Sequence, residues 1–326
     1  MNSGQQQGDK KTAPSSVIAG NGSVKILAPA TVANLVCGFD ILGLALKDPE
    51  DIMEMSLSEK PGIRIKHTDG YDLPVDPEKN VAGAALLAFL QELKQDIGLN
   101  VSINKCIKPG SGLGSSAASS AGAVVGANYL TGNTFSNDDL VRFAMNGEKV
   151  ASGVKHADNI APCIYGGITL IRSIFPLDII PLSGPPLFVT VIHPQIEVRT
   201  SDARQILRKE VKLKDAIKQW GNIAGLVSGF LKNDYELIGR SLEDVIIEPV
   251  RSILIPGFDQ VKIKSKEAGA LGGGISGSGP SIFMLCKELQ TAKEVEHLMQ
   301  EVYEKIGVEY KSYVTTINYD GVRIEE

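Results

Sequence analysis

The stretch Lys108-Pro109-Gly110-Ser111-Gly112-Leu113-Gly114-Ser115-Ser116-Ala117 most narrows what this chain can fold into. It sets three glycines between a strand-like segment, NVSINKCI, and a run of small residues, AASSAGAVVGANYL, that reads as a helix. The first N–H groups of a helix have no intrahelical partner, and glycine lets the backbone approach an anion closely. With the helix dipole behind it and serine hydroxyls that can donate to phosphate or reach a metal, such a turn can cradle phosphate. A bare connecting turn would need fewer glycines and serines. Gly112 to Ala117 also fits the G-x-G-x-x-A form of a dinucleotide fingerprint, but that motif wants an acidic residue about 20 positions on, at the end of the next strand. Here the helix runs into Thr131-Gly132-Asn133 and another helix. A Walker loop is excluded, because no Gly-Lys-Ser/Thr follows.

At 326 residues and 43% hydrophobic content, the chain suits two compact domains sharing a cleft. A net charge of −5 gives no general attraction for nucleic acid or anionic membrane, so any phosphate must be held by a local device. The opening residues lack a signal-peptide core, and no segment approaches the roughly 18 apolar residues of a membrane span. The expectation is a soluble, cytoplasmic protein without nucleic-acid or membrane partners. Cys37, Cys106, Cys163 and Cys286 lie too far apart to suggest a disulfide framework or zinc site.

Residues 1–22 have little to bury and read as a flexible extension. VKILAP reads as a strand, and IMEMSLSE with IRIKHT as a hairpin-like pair. Asn80 is placed to cap the helical run VAGAALLAFLQELK, and a second helix is expected from Asn137 through Val150. The Pro-rich SIFPLDIIPLSGPP reads as a boundary, dividing the chain into residues 23–184 and 185–326. Beyond it come the strand LFVTVIHP, a long helical region from Ser201 to Arg251, two strands around the glycines of ALGGGISGSGPSIFMLC, and a closing helix and strand. The fold class is α+β.

Pro109 to Ala117 resembles the phosphate-binding signature of the GHMP kinases. Gly272 to Ser281 resembles that family's C-terminal glycine motif, and Lys25 to Thr31 its first motif. Ala28 to Leu35 with Gly38-Phe39-Asp40, and Gly153 to Pro162 with Gly166-Gly167, are similar to the homoserine kinase branch. That branch commonly reads Asn-Leu-Gly-Pro-Gly-Phe-Asp where this chain has Val36 and Cys37 in place of Gly-Pro, which puts the loop's backbone shape in question. The resemblance implies a two-domain architecture, with an N-terminal ATP-binding domain like domain 2 of ribosomal protein S5 and a ferredoxin-like C-terminal domain. It further implies ATP and Mg²⁺, phosphorylation of the hydroxyl of L-homoserine in threonine biosynthesis, and a homodimer. Another kinase of the superfamily, an NAD(P)-dependent oxidoreductase built on the fingerprint match, and an idle nucleotide-binding module are the alternatives.

The same resemblance assigns roles. Pro109, Gly110, Ser111, Gly112, Leu113, Gly114, Ser115, Ser116 and Ala117 would bind the nucleotide, with Ser116 and Glu148 at the metal. Asp40 would meet the substrate ammonium, Arg204 and Arg251 would clamp its carboxylate, and Asn34, His156, Asp158 and Thr200 would complete the site. Read alone, Glu148 is a solvated helix residue and either arginine a surface charge. Ser116, Glu148, Asp158 and Asn159 are the catalytic candidates. Asn159 stands where mevalonate kinase and galactokinase carry an aspartate base, and it cannot accept a proton in that way. In-line transfer would then rest on positioning and charge neutralisation.

Overall fold

The computed structural model describes residues 23–198 and 200–325. The expected extension, residues 1–22, lies outside them. Among the described residues the strands are β1 Val24–Ala33, β2 Leu42–Ser58, β3 Gly62–His67, β4 Gly98–Asn104, β5 Ile168–Ile174, β6 Leu177–Leu182, β7 Phe188–Pro194, β8 Gly272–Ile275, β9 Ile282–Cys286, β10 Tyr310–Thr316 and β11 Arg323–Glu325. The helices are α1 Val81–Leu93, α2 Ser115–Leu130, α3 Asn137–Ser152, α4 Ile160–Tyr165, α5 Thr200–Gln205, α6 Leu213–Lys232, α7 Tyr235–Ser241, α8 Glu248–Arg251, α9 Phe258–Glu267 and α10 Leu289–Ile306.

Seven strands build the first sheet, in the order β11-β1-β2-β4-β3, with β5 joined to β2 and β6 to β5. The second sheet has the order β10-β7-β9-β8 and is antiparallel throughout. This is a two-domain α+β architecture, with the ferredoxin-like order expected for the second sheet. It lacks the doubly wound parallel sheet that the oxidoreductase reading requires.

Local signals explain much of this. Asn80 caps α1 by accepting from the Ala82 and Gly83 N–H groups at 2.9 and 3.1 Å, as its position predicts. Ser136 and Asp139 form a capping box on α3, and Gly153 ends it in the left-handed conformation. Helix α2 is almost wholly buried, which its small residues permit. A Cβ on Gly126 would stand 2.7 Å from Ile26 Cδ1, so a larger residue there would displace the Ile26 side chain between α2 and β1. Phe89, Phe135 and Phe143 meet edge to face with centroids 5.0–5.8 Å apart and lock α1 to α3. Each such pair contributes about 0.5–1.5 kcal/mol beyond its buried area.

Three expectations are corrected. IMEMSLSE and IRIKHT do not pair: β4 lies between β2 and β3, and β3 runs parallel to β4. A parallel pair needs a crossover, and α1 supplies it. The Pro-rich stretch is not simply a break, because β6 forms within it and pairs only with β5, an edge position where Pro181 is tolerated. The long helical region is divided among α5, α6, α7 and α8. Strand β11 also leaves the second lobe and joins the edge of the first sheet.

Candidate active site

A cavity of about 350 Å³ opens between the lobes. Its floor is the glycine loop. Gly110, Gly112 and Gly114 take φ of 75°, 80° and 68°, the left-handed region that glycine enters without steric cost. The second lobe braces this loop: the Ser276 hydroxyl donates to the Gly112 carbonyl at 2.6 Å, and the Ser281 N–H to the Ser111 carbonyl at 3.2 Å. A Cβ on Gly112 would stand 2.6 Å from the Gly279 carbonyl oxygen, so the two turns pack backbone to backbone. Helix α2 starts at Ser115 with Gly114 at its cap and no side chain bonded to its first N–H groups. Those donors are left for an anion.

Pro109, Gly110, Gly112, Gly114, Ser115 and Ser116 line the cavity. Ser111, Leu113 and Ala117 are buried and outside that lining. Ser111 Oγ accepts from the Leu113 N–H at 3.3 Å, and the Leu113 carbonyl accepts from Thr31 N–H at 3.1 Å, so these residues hold the loop's shape.

Glu148, on the inner face of α3, is buried and not solvated. Ser116 Oγ donates to its Oε1 at 2.5 Å, and burial raises its pKa. No cation neutralises it among the described residues. A buried carboxylate beside a hydroxyl is a fit donor pair for a hard divalent cation whose remaining ligands are water and phosphate oxygens.

The opposite wall gathers Asn34, Asp40, His156, Asp158, Asn159, Thr200, Arg204 and Arg251, which reach the cavity from four separate stretches of chain. Arg204 Nη2 donates to both oxygens of Asp40, at 2.8 and 3.0 Å. Arg251 is buried. Its Nε donates to the Ala203 carbonyl at 2.9 Å and its Nη1 to the Gly277 carbonyl at 3.1 Å. Its guanidinium carbon lies 4.8 Å from the Phe39 ring centroid, and that of Arg204 lies 5.4 Å away. Burial and then the neighbouring Arg204 charge lower the Arg251 pKa to about 10, which leaves it cationic at neutral pH. His156 Nδ1 stands 3.8 Å from Asp40, and burial lowers its pKa.

Asp158 is buried. Desolvation, then the charges of Asp40 and Glu148, push its pKa up to about 7. Asn159 Oδ1 accepts from Thr31 Oγ1 at 2.7 Å, an interaction that fixes its amide.

The loop carrying Asn34 and Asp40 forms a tight turn through Val36 and Cys37. Asn34, Leu35, Val36 and Asp40 all have positive φ, and Val36 reaches 66° although its β-branched side chain disfavours this region. Each such residue costs on the order of 1–3 kcal/mol and persists only where its surroundings hold it. Here Asn34 holds the loop, donating to the Gly277 carbonyl at 2.9 Å and accepting from the Asp40 N–H at 3.0 Å. Gln219 Nε2 donates to the Cys37 carbonyl at 2.8 Å, and the Val36 and Cys37 side chains are buried in the core.

Several lining residues were not foreseen. Lys105, beneath the loop, pairs with buried Asp51 and donates to the Ser115 carbonyl at 2.6 Å and to Ser119 Oγ at 2.8 Å. His67, Leu73, Pro74, Lys79, Asn80 and Val81 also line the cavity. The position of Asn80 at a helix start was a usable signal; the others carry none.

Two family descriptions match the chain: "GHMP kinases N terminal domain" over residues 80–167 and "GHMP kinases C terminal" over residues 226–305. The homoserine kinase of Chloroherpeton thalassium is 45% identical over 311 residues, covering 91% of this chain and 98% of that protein. The homoserine kinase of Methanocella arvoryzae is 41% identical over 302 residues, covering 93% and 97%. The crystal structure of homoserine kinase from Cytophaga hutchinsonii superposes with a TM-score of 0.90 at 48% identity, covering 93% of this chain and 97% of that one. A mevalonate kinase from L. major shares the fold at 14% identity and a TM-score of 0.69. With the phosphate cradle and the charged wall in one cleft, and relatives matching along nearly their full length, the chain belongs to the GHMP kinase family, in its homoserine kinase branch.

Proposed function

We infer that this chain is an ATP-dependent homoserine kinase, moving the γ-phosphate of ATP to the side-chain hydroxyl of L-homoserine to give O-phospho-L-homoserine, a step of threonine biosynthesis. The observation that carries this reading is the Asp40–Arg204–Arg251 cluster facing an uncapped helix N-terminus across one cavity. A zwitterionic amino acid matches such a wall: its ammonium meets Asp40, and its carboxylate meets the guanidinium groups of Arg204 and Arg251. Thr200 and His156 flank them. Residues 23–184 supply the nucleotide loop and residues 185–326 the two arginines. The apolar side chains of Leu73, Pro74 and Val81 in the cavity lining are suited to receive the base of ATP, while the glycine loop takes its phosphates.

Ser116 and Glu148 would hold Mg²⁺, which when bound neutralises phosphate charge. The loop N–H groups and the α2 dipole stabilise the transferring phosphoryl group, while the clamp fixes the hydroxyl in line. Asp158 is the proton acceptor. A carboxyl with a pKa of about 7 is suited to take a proton at neutral pH, whereas the Asn159 amide is already committed to Thr31. The reaction takes place in the cytoplasm, and nothing in it calls on nucleic acid. Among the described residues, no helix is long and apolar enough to cross a membrane.

A coupled ADP-release assay across a panel of hydroxyl substrates tests the assignment. Turnover is expected with L-homoserine and not above background with mevalonate or galactose; equal turnover of mevalonate sinks it.

The Asp158 role has its own signature. The carboxylate must be ionised to accept a proton, and its pKa in the free enzyme is raised to about 7, so kcat/KM for homoserine rises with pH through about 7 and levels above. Asp158→Asn lowers kcat by about 10²–10⁴ and removes that rising limb. A variant that keeps the limb assigns the titration to another group.

A further inference from the structure

Arg251 stands at the end of α8, a helix of four residues. A single turn is not stable by itself, because fixing its backbone costs more than its first hydrogen bond returns. Something outside α8 must therefore set it, and with it the guanidinium it carries. The backbone N–H groups ahead of Arg251 show what does. Val245 N–H donates to Gln219 Oε1 at 3.1 Å. Ile246 and Ile247 N–H both donate to Asp244 Oδ1, at 2.8 and 3.0 Å, and Glu248 N–H donates to Asp244 Oδ2 at 2.9 Å. Pro249 has no N–H, and the N–H groups of Val250 and Arg251 both donate to the Ile247 carbonyl at 3.0 Å. Every donor from Val245 to Arg251 is accounted for, three of them by one buried carboxylate.

The residue type matters. A helix start is ordinarily capped by one side-chain oxygen, which serine, threonine or asparagine supplies as well as aspartate. Here two oxygens face different donors, and only a carboxylate offers two acceptors and no donor. Asparagine in the same place would turn an NH₂ group toward a backbone N–H.

What this turn holds is the hub of the charged wall. Arg251 is 3% exposed, and its bonds join the Ala203 carbonyl, next to Arg204, to the Gly277 carbonyl, which also accepts from Asn34. Gln219, the other holder of the turn, donates to the Cys37 carbonyl in the loop that carries Asp40. Asp244 itself lies outside the cavity lining.

We propose that Asp244 is a positioning residue for the substrate clamp: its two oxygens fix the turn that aims Arg251 at the substrate carboxylate, and Gln219 ties that turn to the Asp40 loop. The inference rests on the reading of Arg251 as a carboxylate ligand.

Steady-state kinetics of Asp244→Asn and of Asp244→Ser, which keeps one oxygen and adds no NH₂, test it, each alone and combined with Arg251→Ala. Either substitution should raise the homoserine KM about tenfold, the size of a lost helix cap, with kcat and the ATP KM near the parent values. In the Arg251→Ala background the same changes should add little, because both act on one contact. Weak binding of the amino alcohol that remains when homoserine loses its carboxylate should not move. A cap that served only the fold would instead lower the melting temperature and the active fraction, reducing kcat with both KM values unchanged. That pattern, a chain that unfolds with either substitution, or full additivity with Arg251→Ala overturns the proposal. A homoserine KM raised in Arg251→Ala but at the parent value in both Asp244 variants overturns it alone, whereas normal homoserine binding in Arg251→Ala overturns the clamp and this inference with it.

Discussion

Replacing Glu148 with Gln is expected to lower turnover by about 10²–10³ at saturating ATP, homoserine and Mg²⁺, the usual cost of removing one group that stabilises developing charge. The fold should not suffer. Glu148 is buried with a raised pKa and only a serine hydroxyl to satisfy it, so its ionised form is held at a cost in the unliganded protein. Gln keeps the shape and can still accept from Ser116, while shedding the charge. Thermal unfolding of the metal-free protein should therefore be unchanged or move upward as activity falls. Unfolding at a lower temperature with proportionate loss of activity would make Glu148 a structural residue, and full turnover in a folded variant would remove it from the site.

The carboxylate clamp gives the second large effect. Arg204→Ala and Arg251→Ala should each raise the homoserine KM by about ten- to a hundredfold while leaving that for ATP nearly unchanged, since a hydrogen bond to a charged partner contributes about 1.5–3 kcal/mol. The two differ in what they leave behind. Without Arg204, Asp40 loses the donor that holds both its oxygens, whereas loss of Arg251 strips the Gly277 carbonyl of one of its donors and uncovers Phe39. Lysine should rescue poorly at either position, because it cannot reproduce the planar two-donor fork. An amino alcohol lacking the carboxylate should bind the parent weakly and respond little to either change. Normal homoserine binding in both alanine variants would return the arginines to a structural role.

What was legible in the sequence is what depends on neighbours along the chain. The glycine loop, the Asn80 cap and the start of α3 are each written within a few consecutive residues. Long-range pairing is not. The order β2-β4-β3 depends on α1 carrying the chain across the sheet, and the Lys105–Asp51 pair joins residues 54 positions apart, neither of them in a motif. The site residues could be gathered only through a family resemblance, since Arg204 and Arg251 read alone are ordinary charged residues. The Val36-Cys37 departure shows the limit in the other direction. A β-branched residue argues against a left-handed turn, yet packing and the Gln219 bond impose one.

Strand β11 pairs with β1 in antiparallel register, Lys25 opposite Glu325, so the entire second lobe is inserted between strands of the first. That arrangement has a consequence in time. During synthesis the outer edge of β1 cannot be covered until a residue 300 positions later has been made. At roughly 5–20 residues per second, the ribosome leaves that edge open for about 15–60 s. Through this interval the nascent first lobe presents an unpaired strand of the kind that invites association with other chains. Only the synthesis of β11 ends that exposure.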